Sequence, residues 1–165
     1  MADTIALELM REGETEKVLG DNPHTTLDRE NTIEVLSLTQ PLRRSFDRGS
    51  GRATARRYYE PLRFTKRIDR SSPLLRQFLI QNRNLRGKFM WFRPITNGSG
   101  DTEMFFTIEF TQGAIVGVET WLRDTLDPSS ANLPPIEEVQ LVFDTITWTF
   151  VDGGVTHTDT WNATV

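Results

Sequence analysis

Apolar and polar residues alternate along much of this chain, which is the pattern of half-buried β-strands. In residues 103–110, four apolar side chains share one parity and three polar ones share the other. Lys88–Pro94 precedes this segment across a turn that contains two glycines, so the two segments predict an antiparallel hairpin. Further strands are expected over residues 5–9, 33–38, 62–68, 114–122 and 137–151. In the last segment the apolar parity shifts near Asp144, which predicts an extra residue or a change of covered face.

One amphipathic helix is predicted directly after the strand over residues 62–68. Ser72 can cap the first turn, and Pro73 suits the first helical position because no intrahelical donor is needed there. Four apolar residues are expected to dock the helix on the core: Leu74, Leu75, Phe78 and Leu79. A helix this short is marginal alone and must pack on a larger β structure.

These elements, with about seven or eight strands, predict a mainly β fold: a closed or nearly closed antiparallel β-barrel with one short flanking α-helix. The chain has 165 residues, enough to bury one stable core. No internal repeat or low-complexity linker divides it, so residues 1–165 are expected to form a single β-barrel domain.

Charge is unevenly divided along the chain. Residues 43–94 contain 15 Lys and Arg against 3 Asp and Glu, whereas the whole chain has a net charge of −4. The candidate contact residues are the arginines of one segment: Arg43, Arg44, Arg48, Arg52, Arg56 and Arg57. Three interpretations stay open: a solvated loop, a nucleic-acid surface over residues 43–70 with Tyr58 and Tyr59 stacking on bases, and head-to-tail association of oppositely charged surfaces. The isoelectric point of 5.2 disfavours a dedicated nucleic-acid binder.

Residues suited to catalysis or metal binding are scarce. The two histidines, His24 and His157, do not have the spacing of a metal site, and there is no cysteine. No nucleophile motif accompanies His157, and the glycines near Ser50 and Ser99 do not precede a helix. We therefore expect no catalytic, cofactor or metal site and no enzymatic activity. No apolar run is long enough for a membrane span, and none near the start predicts a signal peptide.

Five separated segments of the chain resemble the haemolysin co-regulated protein (Hcp) family, in family order. They are MADTIALEL at the start, IEVLSLTQP at Ile33–Pro41, KRIDRSSPLL at Lys66–Leu75, the strand EMFFTIEF, and TITWTFVDGGVTHTDTW at Thr145–Trp161. The resemblance implies a β-barrel with one helix, assembled into a hexameric ring that stacks into the tube of a type VI secretion system. Residues 11–31 lack the glycine-rich pattern of the family, and Leu42–Tyr59 is long and unusually rich in arginine.

The same resemblance implies partners and a location. The partners are other copies of this chain in stacked rings, a spike protein, a sheath, and effectors transported in the lumen. The protein is then cytoplasmic during assembly and secreted without a signal peptide. Segment Arg43–Arg57 is expected to be a flexible loop, since it has too little apolar content for a core of its own. In the stacked rings that the resemblance implies, this loop would meet acidic residues of the next ring.

Overall fold

The computed structural model describes residues 3–162, which form eleven strands and one α-helix. The strands are β1 Thr4–Arg11, β2 Ile33–Val35, β3 Ser37–Thr39, β4 Leu42–Phe46, β5 Ala53–Tyr59, β6 Leu62–Arg67, β7 Leu85–Pro94, β8 Thr102–Trp121, β9 Ile136–Val142, β10 Thr145–Phe150 and β11 Val155–Thr160. The helix α1 is Ser72–Gln81. The prediction of a mainly β, antiparallel fold with one helix is confirmed.

Nine of the strands form one sheet with the order β2-β1-β7-β8-β9-β6-β3, and β10 pairs with β8 and β11. The prediction of a closed barrel is wrong, because β2 and β3 end the sheet and no ladder joins them within residues 3–162. These two strands follow one another in the chain with only Leu36 between them, so they cannot fold back onto each other. Leu36 N instead donates to Thr65 O of β6, at 2.8 Å.

The long strand β8 connects the two parts of the sheet. Its first half pairs with β7 and β10, and its second half, from Ala114, pairs with β9. Where β8 changes its pairing partner, the Phe110 ring lies close to two glycines. A Cβ on Gly87 would come within 2.8 Å of the ring atoms, and a Cβ on Gly113 would come within 2.7 Å of them. Gly113 therefore allows a large ring to pack where β8 changes neighbours, and side chains from both parts of the sheet share one core.

Residues 137–151 form two strands, β9 and β10, instead of one. Phe143 and Asp144 separate them: Asp144 N donates to Thr111 O at 3.2 Å, and Asp144 O accepts from Trp161 N at 2.7 Å. The parity shift in the sequence therefore marks a break in the strand.

The helix begins at Ser72, with Ser71 as the N-cap residue, and no side chain caps it. Leu75 and Phe78 are buried, and Leu79 packs against the core half-buried. Leu74 lies at the edge of this stripe and is 39% exposed, so the expectation that all four apolar residues are buried does not hold.

Candidate assembly surfaces

The arginine-rich segment forms a β-hairpin, β4–β5, which is a separate two-stranded sheet. The expectation of a flexible loop over Arg43–Arg57 is therefore wrong. The turn between the strands is organised by Asp47, whose backbone N donates to Arg52 O at 2.8 Å and whose carboxylate accepts from Ser50 N at 2.8 Å. Gly51 adopts a φ of 68°, which suits a glycine in such a turn. Backbone hydrogen bonds and turn chemistry order this segment without an apolar face.

Most of the hairpin is exposed, including two of its aromatic side chains. Phe46 is 63% exposed and Tyr58 is 45% exposed, in a surface that also contains four exposed arginines with no ion pair among the described residues. These are Arg44, Arg48, Arg52 and Arg56. Arg43 is also exposed and lies 3.6 Å from Glu60. The hairpin thus presents cationic and aromatic groups together on a surface.

One arginine of the set, Arg57, anchors the base of the hairpin. It donates through Nη2 to Asp159 Oδ1 at 2.5 Å and to Thr160 O at 2.9 Å, and it forms an ion pair with Asp159. The Tyr59 hydroxyl donates to the same carboxylate at 2.6 Å. The hydrogen bond from Arg57 holds the pKa of Asp159 far below its usual range, against the effect of burial, while burial and the bond to Asp159 raise the pKa of Tyr59.

Aromatic contacts surround this anchor. The Tyr59 ring meets Phe143 edge-on at 5.2 Å and lies 5.3 Å from Trp161, and both partners also touch one another. The base of the hairpin is therefore fixed to β11 and to the core, whereas its tip projects from the body of the subunit. Sequence reasoning grouped Arg57 with the exposed arginines, because nothing in its local pattern indicates a partner 102 residues away.

A buried ionic cluster that was not predicted from the sequence joins β6, β9 and the start of α1. Lys66 Nζ donates to Glu137 Oε1 and Asp69 Oδ1, both at 2.8 Å, and lies 3.1 Å from Ser72 Oγ. Ser72 Oγ in turn donates to Glu137 Oε1 at 2.6 Å, and Arg76 Nη1 donates to Glu137 Oε2 at 2.9 Å. Both Lys66 and Glu137 are fully buried. Their contacts fix where the helix starts on the sheet.

The pKa of each of the two carboxylates in this cluster is lowered. Burial alone would raise the pKa of Glu137, but hydrogen bonds from Lys66, Ser72 and Arg76 outweigh it and lower the pKa. The pKa of Asp69 is lowered in the same way, burial being outweighed by hydrogen bonds from Lys66 and Ser71. A signal for this cluster existed in the sequence, since Lys66 has the same parity as Leu62 and Phe64 and therefore faces inward.

The two histidines considered as candidate functional residues lie in different parts of the fold. His24 lines a surface cavity, whereas His157 is on β11 and stacks on Trp148 at 6.1 Å. Among residues 3–162, no group of three or more acidic or histidine side chains could hold a metal ion. No helix in this part of the chain is long and apolar enough to cross a bilayer.

Comparison with known proteins gives a consistent result. The model of a family described as "Type VI secretion system effector, Hcp" matches residues 12–150. The "Major exported protein" of Pseudomonas aeruginosa is 30% identical over 120 residues, which are 72% of this chain and 69% of that protein. A double mutant of Hcp1 from E. coli EAEC 042 has a similar solved structure, with a TM-score of 0.82 and 28% identity over 97% of this chain and 99% of that one. The secreted protein Hcp3 of Pseudomonas aeruginosa has the same fold, with a TM-score of 0.73 and 18% identity over 98% and 100% of the chains.

Proposed function

This chain belongs to the Hcp family of type VI secretion proteins, and we propose that it is a structural subunit of the secreted inner tube of such a system. In this proposal residues 1–165 are one domain, six copies form a ring, and rings stack into a tube that has room for effector proteins in its lumen. A spike protein and a sheath are further proposed partners, and catalysis has no part in the function. The proposed route begins in the cytoplasm and ends outside the cell without a signal peptide.

The exposed β4–β5 hairpin is the observation that supports stacking most directly. An isolated two-stranded hairpin is marginally stable in water, and this one leaves Phe46 and Tyr58 largely exposed. Four exposed arginines of the hairpin also have no ion pair among residues 3–162: Arg44, Arg48, Arg52 and Arg56. A neighbouring subunit with acidic groups would cover the aromatic side chains and neutralise the arginines.

The charge distribution supplies that neighbour. Residues 43–94 have a net charge of +12, so the remainder of the chain has a net charge of −16. In the proposed head-to-tail association, the exposed arginines of one hairpin meet acidic residues of the next copy, and such complementary charges fix the register and speed association. Since the arginines at the tip are exposed, their contribution should weaken as salt screens it.

The test is the triple variant Arg48→Ser, Arg52→Ser and Arg56→Ser, which leaves the anchor at Arg57 intact. We expect single rings to form normally and stacking to be impaired, as electron microscopy of rings and tubes would show. High salt should impair stacking of the parent protein in the same way. The matched control carries serine at three exposed arginines outside the hairpin, and it has the same net charge: Arg63, Arg83 and Arg123. Normal stacking of the hairpin variant at every salt concentration would refute the proposed role.

A second candidate function is a nucleic-acid-binding module that uses residues 43–70. It is favoured by the exposed Tyr58 and Phe46 beside arginines, because aromatic side chains stack on bases and arginines contact phosphates. Fluorescence anisotropy with a single-stranded oligonucleotide separates the two functions. Loss of nucleic-acid binding in the hairpin variant, with unchanged stacking, would support this second candidate instead of the first.

A further inference from the structure

Arg29 is a buried cation that has no anionic partner among residues 3–162. Its residue exposure is 3%, and its guanidinium lies 4.3 Å above the centre of the Phe92 ring. Burial lowers the pKa of Arg29. Unlike Arg29, three other cations of the protein each form an ion pair with a carboxylate: Arg57, Lys66 and Arg76. Buried charges in proteins are normally paired, so Arg29 needs an explanation.

Threonine side chains and a backbone carbonyl hold the guanidinium in place. Nε donates to Thr26 O at 2.9 Å, and Nη2 donates to Thr26 Oγ1 at 2.7 Å and to Thr102 Oγ1 at 3.1 Å. Nη1 donates to Thr4 Oγ1 at 3.3 Å, which leaves one Nη1 hydrogen without a partner among the described residues. Since the threonine hydroxyls act as acceptors towards Arg29, their own protons remain free to be donated.

These donors lie beside a surface cavity of about 440 Å³. The residues that line it are His24, Thr26, Leu27, Arg29, Gly100, Asp101 and Thr102. The cavity therefore combines a buried positive charge and two hydroxyl donors with the exposed carboxylate of Asp101 on its wall. A doubly charged anion such as phosphate would meet that carboxylate, whereas a singly charged group balances Arg29 and meets less repulsion.

We propose that this cavity binds a single carboxylate group, which accepts hydrogen bonds from Arg29 Nη1 and from the hydroxyls of Thr26 and Thr102. The group belongs either to a small soluble acid or to an Asp or Glu side chain of a neighbouring copy. Acetate binding to a single subunit tests the site separately from the tube proposal, because the site residues all come from one subunit; only the neighbouring-copy source of the carboxylate rests on the proposed ring.

The test uses sodium acetate as the probe and saturation-transfer NMR of its methyl signal, with acetamide as the uncharged control. The parent protein should bind acetate saturably and in preference to acetamide. Thr102→Val removes one donor and should weaken acetate binding about tenfold, the usual effect of losing a hydrogen bond to a charged group. Asp101→Asn removes the repelling carboxylate from an exposed position and should strengthen binding about twofold or more. Thr125→Val, on an exposed loop, is the matched control and should bind acetate as the parent does.

The same titration on dissociated subunits and on assembled rings distinguishes the two sources of the carboxylate. If acetate binds to dissociated subunits but not to rings, a carboxylate of a neighbouring copy fills the cavity in the ring. If acetate binds equally to both states, the natural ligand is a small soluble acid. Either result supports the site. Absence of a preference for acetate in both states would overturn the proposal. Acetate binding by Thr102→Val and Asp101→Asn with the parent's affinity would overturn it as well.

Discussion

Replacement of Lys66 by Met should destabilise the subunit strongly, because it removes the cation from the centre of the buried cluster. Lys66 Nζ contacts two carboxylates, Glu137 and Asp69, and a backbone carbonyl, Arg67 O at 2.7 Å. In the Lys66→Met variant, Glu137 keeps its hydrogen bonds from Ser72 and from Arg76. Asp69 loses its only ion-pair partner among the described residues, while a negative charge remains inside the protein.

The expected loss follows from the geometry. Removing one member of a buried, hydrogen-bonded ion pair costs about 3–5 kcal/mol. For a chain of this length each kcal/mol corresponds to about 2–4 °C in Tm, so the variant should melt about 6–20 °C below the parent. Replacing both Lys66 and Glu137 by apolar residues removes one charge of each sign, so no excess charge remains in the cluster, although Asp69 and Arg76 lose their ion-pair partners. The double variant Lys66→Met, Glu137→Leu should therefore be less destabilised than the sum of its single variants.

Urea unfolding followed by tryptophan fluorescence measures these free energies, and two protein concentrations separate ring dissociation from unfolding. The control is Lys17→Met, which removes a half-exposed lysine 2.6 Å from Glu8 and should cost less than about 1 kcal/mol. Equal losses for Lys66→Met and Lys17→Met would refute the reasoning. Strictly additive losses in the double variant would show that Lys66 and Glu137 do not stabilise the fold as a pair.

Two further outcomes are expected. The lowered pKa of Glu137 means that unfolding takes up a proton at acidic pH, so the unfolding free energy should fall as the pH decreases below about 5. A flat dependence between pH 7 and pH 4 would contradict this assignment. Gly113→Ala places a Cβ within 2.7 Å of the Phe110 ring and should cost about 1–3 kcal/mol, whereas Gly49→Ala, with its nearest contact at 3.7 Å, should have little effect. Equal Tm values for the two alanine variants would show that the ring moves aside freely.

Local patterns in the sequence indicated most of the long strands but not β4, β5 or β11, and they did not reveal the long-range connections. Alternation indicated strand structure over residues 103–110 and 114–122, which the structure joins into the single strand β8, and the Ser-Pro pair located the start of the helix to within one residue. The open sheet depends on β2 and β3 pairing with strands far away in the chain, and no local pattern contains that information. The break between β9 and β10 was visible as a parity shift, but its cause is the contact of Asp144 with Thr111 and Trp161.

The candidate sites differ in how far the sequence could reveal them. The arginine-rich segment was evident from charge alone, yet its hairpin was missed because backbone pairing and the Asp47 turn order it without an apolar stripe. The inward-facing position of Lys66 could have been predicted, because it has the same parity in β6 as Leu62 and Phe64. Arg29 has no such signal, since two of the threonines that accept its hydrogen bonds, Thr4 and Thr102, lie far from it in the chain.

Negative-stain electron microscopy of the purified protein tests most directly the proposal that this chain is a tube subunit. We expect closed rings with a central hole and sixfold class averages, some of them stacked end to end at low salt. Class averages that show only isolated subunits at micromolar concentration, with no ring at any salt concentration, would contradict the proposal.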